Sequence, residues 1–495
     1  MTELNSSPDL AQKTLKGVFW SYSTFLGGKV LTFLSTILLA RLLLPEQFGL
    51  VGYCLITIQY LDILNSAGID NSLIARRENP EEAANAAFVA NILLGLISFG
   101  LTWVIAPSAA VFFKTEELVP ILRLMGLNLP LSGLGMVPDT LLQRHLRFRT
   151  RMLPEISKNL IKGLVSIILA WMGMGVWSLV WGQLAGTCIG TVLAWILAGW
   201  KPTWRFDARV TFEIATYGFH IMLLEIAGAF RSNVDYLLVG RILGAAALGY
   251  YTMSYRIPEL LIRSMNVVVG RVSLPVMSIA QTNREQLRTF YFGYLRSLSM
   301  VIFPVAVGLA LTAPIFIPLF LSAKWSPAVI PTMLISVALG IAAMGHIPGV
   351  LYKATGRPAL LSKLNVIKVP LTVAVLWYST RWGINGVAAG QIAVGIFSLL
   401  LDTLVANYVM RYSTKDLIGA LAPTFLSALG MALALLVVIR VLPFSGLLAF
   451  ILIVLVGVLI YLIMLWWLDR ETVRAGVDLF RRTFIKIPVG AGSDD

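Results

Sequence analysis

Long apolar runs alternate with short polar links along the whole chain. Fourteen runs of bilayer length are legible, near 15–44, 48–74, 83–113, 117–142, 154–174, 176–199, 210–240, 246–280, 286–321, 326–354, 358–380, 384–410, 417–440 and 445–468. A helix rising about 1.5 Å per residue needs about 20 apolar residues to cross a hydrocarbon core about 30 Å thick. Pro and Gly inside such runs are tolerated, because neighbouring helices re-satisfy the freed backbone groups. The links are too short to fold as soluble domains. The pattern therefore predicts an all-α polytopic membrane protein. The opening MTELNSSPDLAQKTLKG has neither an apolar stretch nor a small-residue cleavage site, so the first run is expected to remain as a span.

Lys and Arg orient these spans. With the N-terminus inside, the inner links hold Arg76 and Arg77; Arg144, Arg147, Arg149 and Arg151; Lys201, Arg205 and Arg209; Arg284 and Arg288; Lys353, Arg357 and Lys363; and Arg411 and Lys415. The outer links hold one each: Arg41, Lys114, Arg241, Lys324, Arg381 and Arg440. A bias sustained link after link marks a multi-pass chain with both termini cytoplasmic. Beyond the last run, ETVRAGVDLFRRTFI (471–485) spaces Val473, Val477, Phe480 and Phe484 at helical intervals beside Arg474, Arg481 and Arg482. That arrangement predicts an amphipathic helix on the inner leaflet.

The chain also repeats itself. ARLLLPEQFGLVGY (40–53) aligns with GRILGAAALGYYTM (240–253), so that Arg41 meets Arg241, Leu43 meets Leu243 and Gly49 meets Gly249. Each segment joins one span to the next, which makes the first and seventh spans equivalent. Two parallel halves of six helices follow, as in many transporters. The expected organisation is a cytoplasmic N-terminus (1–14), a first lobe (15–200), a second lobe (201–412), two added spans (413–468) and a cytoplasmic tail (469–495).

Composition excludes the main alternatives. Of the 495 residues 58% are hydrophobic and only 13% charged, more apolar surface than a soluble domain can bury. The formal charge of +14 would suit nucleic acid, but the basic residues are scattered through links and form no single patch. The two cysteines, Cys54 and Cys188, lie in apolar runs and make neither a CxxC nor a disulfide framework. His145, His220 and His346 lack metal-ligand spacing. With no nucleophile elbow, DxD or phosphate-binding Gly loop, no catalytic residue, metal or cofactor is expected. An integral-membrane glycosyltransferase or polymerase is the distant alternative, and it needs a larger extramembrane loop than any here.

Charges inside the spans are the informative exception, because each costs roughly 2.5–3.5 kcal/mol at the bilayer centre even on lenient scales. In SYRIPELLIRSMNVVVGR (254–271), Arg256, Glu259 and Arg263 stand at i, i+3 and i+7 and share one helix face beside Pro258, with Arg271 near the inner surface. Other spans hold Lys29; Asp62 and Asp70; Glu155, Lys158 and Lys162; Glu225, Arg231 and Asp235; Lys368; and Asp402. An intrahelical Arg231–Asp235 pair and a Lys158 that reaches the inner interface are bland readings of two of these. The set as a whole points to a hydrated, net-cationic cavity between the halves. Lys29, Lys158, Lys162, Arg231, Arg256 and Arg263 are the candidate substrate-binding cations. Glu225, Asp235, Glu259 and Asp62 are candidate charge partners or ion-coupling groups. Guanidinium groups suit a phosphate or diphosphate, whose oxygens they match bidentately.

The segments ARLLLPEQFGLVGY, GIDNSLIARRE, LLQRHLRFRTRMLPEI, LPVMSIAQTNREQLR and APIFIPLFLSAKWSPAVIP, in this order and on these spans, resemble the polysaccharide-transport family of the multidrug/oligosaccharidyl-lipid/polysaccharide exporter superfamily. The likeness is to its exopolysaccharide or colanic-acid-type lipid-linked oligosaccharide flippases. It implies 12 to 14 helices in two lobes forming a V. It also implies a cargo of oligosaccharide on undecaprenyl diphosphate, moved across the bacterial inner membrane by alternating access. A proton or sodium gradient is the implied driving force. Membrane lipids and other polysaccharide-assembly proteins are the implied partners. A peptidoglycan-precursor flippase and a multidrug exporter of the same superfamily remain alternatives, and the latter predicts acidic cavity residues.

Overall fold

The computed structural model describes residues 27–66, 69–70, 73, 80–145, 147–203, 208–263, 265, 273–274, 276–441 and 446–470. The N-terminal segment 1–14, the opening of the first span, Arg76, Arg77, Arg205, Arg271 and the amphipathic tail helix lie outside the described residues. Every regular element among the described residues is a helix or helical turn.

The chain divides into two compact units, Met1–Thr252 and Met253–Asp495. The first holds α1 (27–42), α2 (Pro45–Ser66), α3 (Pro80–Phe113), α4 (Leu118–Met125), α5 (Asn128–Arg144), α6 (Phe148–Trp171), α7 (Val176–Ala198), α8 (Ala208–Leu243) and the start of α9 (Ala245–Pro258). The second continues from α9 into a π turn, Glu259–Arg263, and then α10 (Arg284–Phe316), α11 (Val329–Met344), α12 (His346–Ala354), α13 (Ala359–Ser379), α14 (Gly383–Met410), α15 (Thr414–Val441) and α16 (Leu447–Leu468). Among the described residues, nine stretches are long and apolar enough to cross a membrane. Helices α6 and α8 are not among them. They carry Glu155, Lys158 and Lys162, and Glu225, Arg231 and Asp235, which is the charge the sequence singles out.

In the first unit, α6 and α7 pack as a close antiparallel pair through Gly182, Gly186 and Gly190. A Cβ on Gly186 would lie 2.6 Å from Lys158 O, and one on Gly182 2.8 Å from Lys162 O. Small residues every fourth position let two helix backbones approach this way in a membrane, where packing and not water drives association. Residues Lys158 and Lys162 are thus anchored at their backbones while their side chains stay half-exposed. Asn65 of α2 is fully buried and donates from Nδ2 to Leu129 O at 3.1 Å, tying α2 to the start of α5.

The two glycines of the sequence repeat meet. A Cβ on Gly49 of α2 would lie 1.8 Å from Ala245 O, and one on Gly249 of α9 would lie 1.9 Å from Pro45 O. Each glycine seats the backbone at the start of the other's helix, so the contact is reciprocal. Nearby, the buried Tyr53 donates from Oη to Gly240 O at 2.9 Å and stacks on Phe113.

In the second unit, α10, α15 and α16 share one apolar core, with Met431, Leu435 and Ile453 against Met300, Phe303 and Val307. Polar contacts set its register: Ser299 and Thr424 hydroxyls lie 2.9 Å apart, and Tyr461 Oη donates to Met300 O at 2.8 Å. A second core joins α10, α12 and α14 around Tyr291, Tyr352 and Ala406.

Candidate functional site

The first unit gathers several of the sequence-predicted charges on adjoining helices. Lys29 is exposed on α1. Next to it, Thr32 Oγ1 donates to Gly28 O at 2.8 Å and lies 3.4 Å from Asn159 Oδ1, so α1 runs along the stretch of α6 that holds Lys158 and Lys162. Lys158 interacts electrostatically with Asp62 of α2, whose carboxylate lies against Asn65 and Ser132. Gln59 of α2 accepts from Asn233 Nδ2 of α8 at 3.1 Å. Arg231, two residues earlier, is exposed, as is Glu225, which faces the acids Asp70 and Asp62. Charges of both signs therefore line this unit's polar face.

Asp235 has a different setting. It is 4% exposed, and its carboxylate accepts from Tyr251 Oη at 3.1 Å and from the Tyr236 amide at 2.9 Å. The Tyr251 bond ties α8 to α9, a contact that the i, i+4 spacing to Arg231 does not reveal.

In the second unit, Pro258 has no N–H to donate, and the helix widens after it into the π turn. Regular α spacing puts Arg256, Glu259 and Arg263 on one face. Within the π turn Arg263 pairs with Glu259, four residues before it, at 2.5 Å. The Arg263 side chain keeps 66% of its exposure, and Arg256 is exposed as well. Such single π turns recur at functional sites because they re-aim side chains without ending the helix.

One pair stands outside the sequence-predicted site. Lys368 of α13 bonds Asp402 of α14, with side-chain exposures of 12% and 8%. Tyr352 Oη donates to the Asp402 carbonyl at 2.8 Å. The signal was available: Lys368 lies about 14 Å into α13 and Asp402 about 12 Å before the end of α14, so opposite charges sit at matching depth on consecutive antiparallel helices. Beside the link between α5 and α6, Arg151 grips Asp139 with two nitrogens, at 2.9 and 3.0 Å, joining α6 to α5. Among the described residues no group of three His, Cys, Asp or Glu could hold a metal ion.

Known proteins resemble this chain over nearly its full length. A membrane protein of the cps region of Klebsiella pneumoniae is 26% identical over 484 residues, covering 96% of this chain and 99% of the relative. The lipopolysaccharide biosynthesis protein WzxC of Escherichia coli K12 is 25% identical over 411 residues, 81% of each chain. Among solved structures, the lipid II flippase MurJ in an inward closed conformation matches with a TM-score of 0.72 at 16% identity, covering 95% of this chain and 100% of that one, which establishes a shared fold. Residues 38–330, more than half of the chain and the whole stretch from the first repeat segment through the π turn, match the family described as polysaccharide biosynthesis protein, and the chain belongs to that family.

Proposed function

We propose that this protein is a flippase that moves oligosaccharide repeat units linked to undecaprenyl diphosphate across a bacterial inner membrane, with both termini in the cytoplasm. The observation that carries this reading is the exposure of Arg256 and Arg263 around a π turn in a helix flanked by membrane spans. A guanidinium exposed at such depth needs water or an anion, and a diphosphate supplies oxygens that match its N–H groups. Charge-assisted hydrogen bonds of this kind contribute about 1.5–3 kcal/mol each. Lys29, Lys158, Lys162 and Arg231 of the first unit are further candidate cations for the headgroup, while the polyprenyl tail stays in lipid. The names of the relatives, which concern surface-polysaccharide assembly, support the same cargo class.

Transport proceeds by alternating access. Release outside is driven by a proton or sodium ion taken up at an acid near the cations, for which Glu225, Glu259, Asp62 and Asp235 are the candidates. Other polysaccharide-assembly proteins supply the cargo and consume it. The test is a strain that depends on this protein for its surface polymer, carrying Arg256→Ala or Arg263→Ala at matched expression. Polymer output should fall sharply in both, and normal output would sink the assignment. Rescue of cells that lack lipid II flipping would assign the peptidoglycan precursor as cargo instead.

A further inference from the structure

Three membrane helices of the second unit lose their charges within one band. On α10 the last charge is Arg296, and residues 297–321 carry none. Past Asp416, α15 carries none until Arg440, and α16 is uncharged until it ends at Asp469 and Arg470. Two ion pairs mark the band where the charges end, about 12 Å apart along α10: Arg288 with Asp416, and Arg296 with Asp469 at 3.4 Å. Beside them a cleft of about 720 Å³ opens between α10 and α15. It exists because two facing positions lack side chains: a Cβ on Gly293 or on Gly419 would meet nothing within 4 Å. The Lys/Arg bias assigns this band to the cytoplasmic surface of the membrane.

We propose that this cleft binds the headgroup of an anionic glycerophospholipid from the inner leaflet. Its lining carries Arg288, Arg296 and Lys415 against Glu285 and Asp416. A guanidinium has five N–H donors, and one carboxylate takes at most two of them. Asp416 and Asp469 therefore hold the two arginines in place and leave donors for a phosphodiester. Lys415 forms no ion pair among the described residues and supplies a third cation. The apolar runs begin directly beyond the cleft, so a lipid seated here keeps its acyl chains in hydrocarbon while its phosphate meets the arginines. Basic pockets between membrane helices on this face recognise lipid headgroups in the same way.

The test uses the full-length protein in detergent, with bound lipid counted by native mass spectrometry during titration with phosphatidylglycerol or phosphatidylcholine. Phosphatidylglycerol should bind in preference, and Lys415→Gln and Arg296→Gln should each weaken it about fivefold. Gly419→Leu, which fills the cleft without changing charge, should abolish that binding. If Arg296→Gln does not fold with Asp469 left alone, Lys415→Gln and Gly419→Leu decide. Equal binding of phosphatidylcholine, or unchanged binding in Lys415→Gln and Gly419→Leu, overturns the proposal. Displacement by inorganic phosphate at concentrations comparable to the lipid would mark a soluble-anion site, and much tighter binding of undecaprenyl phosphate would mark a cargo site. Either result overturns the phospholipid assignment.

Discussion

Two sets of charges in the second unit have opposite settings. Lys368 and Asp402 are sealed against each other between α13 and α14, with Tyr352 bonded to the adjoining carbonyl. Arg256 and Arg263 stand in the open around the π turn, and among the described residues Arg263 has only the half-exposed Glu259 as an ion-pair partner. The buried pair neutralises itself: its two members have exchanged water for one another, and each is the reason the other can stay. The exposed pair of arginines has no such closure, so its charge is available to something that comes and goes. Under the proposed function, the buried pair holds the fold together and the exposed arginines meet the cargo.

The largest expected effect breaks the sealed pair. Asp402→Ala leaves a buried ammonium and should destabilise the protein by about 3–5 kcal/mol, read as a lower midpoint of thermal unfolding in detergent. Lys368→Met combined with Asp402→Leu removes both charges and should recover most of that loss. Arg256→Gln and Arg263→Gln should do the reverse. Unfolding midpoints should hardly move, while binding of a polyprenyl diphosphate weakens by about 1.5–3 kcal/mol per arginine. A drop in stability as large as that of Asp402→Ala would place the arginines in the structural class. Salt sharpens the contrast further. Raising ionic strength from about 0.1 to 1 M shortens the screening length from about 10 to 3 Å, so diphosphate binding should weaken while the sealed pair is unaffected. The smallest effect belongs to Glu259→Gln, which removes an exposed i, i+4 pair and should change stability by about 0.3–0.5 kcal/mol.

Much of the candidate site was legible from residue type alone. Charges are rare enough in apolar runs that Lys29, Asp62, Lys158, Lys162, Glu225 and Arg231 stand out without any coordinates, and α6 and α8, which carry Lys158, Lys162, Glu225 and Arg231, are not among the stretches apolar enough to span. Their partners were not legible. Asp235 looks like a mate for Arg231 by spacing, yet it accepts from Tyr251 across to the next helix. Lys368 and Asp402, 34 residues apart, are the exception, because their matching depth on consecutive antiparallel helices is readable from the sequence. Arg256, Glu259 and Arg263 stand at i, i+3 and i+7 in the sequence, and only the structure shows that a π turn follows Pro258 and that Glu259 pairs with Arg263 within it.

What the sequence determined by itself was the all-helical membrane class of the protein and the presence of a repeated segment. Apolar length marks the segments that leave water, and that signal does not depend on how helices pack. The repeat of 40–53 in 240–253 was visible as matched letters, with Gly49 and Gly249 in register. Only the tertiary structure decided that these two glycines touch, each accepting the backbone of the other's helix where a single Cβ would collide. Contacts between distant segments depend on crossing points and side-chain volume in three dimensions, and a one-dimensional pattern holds no record of them.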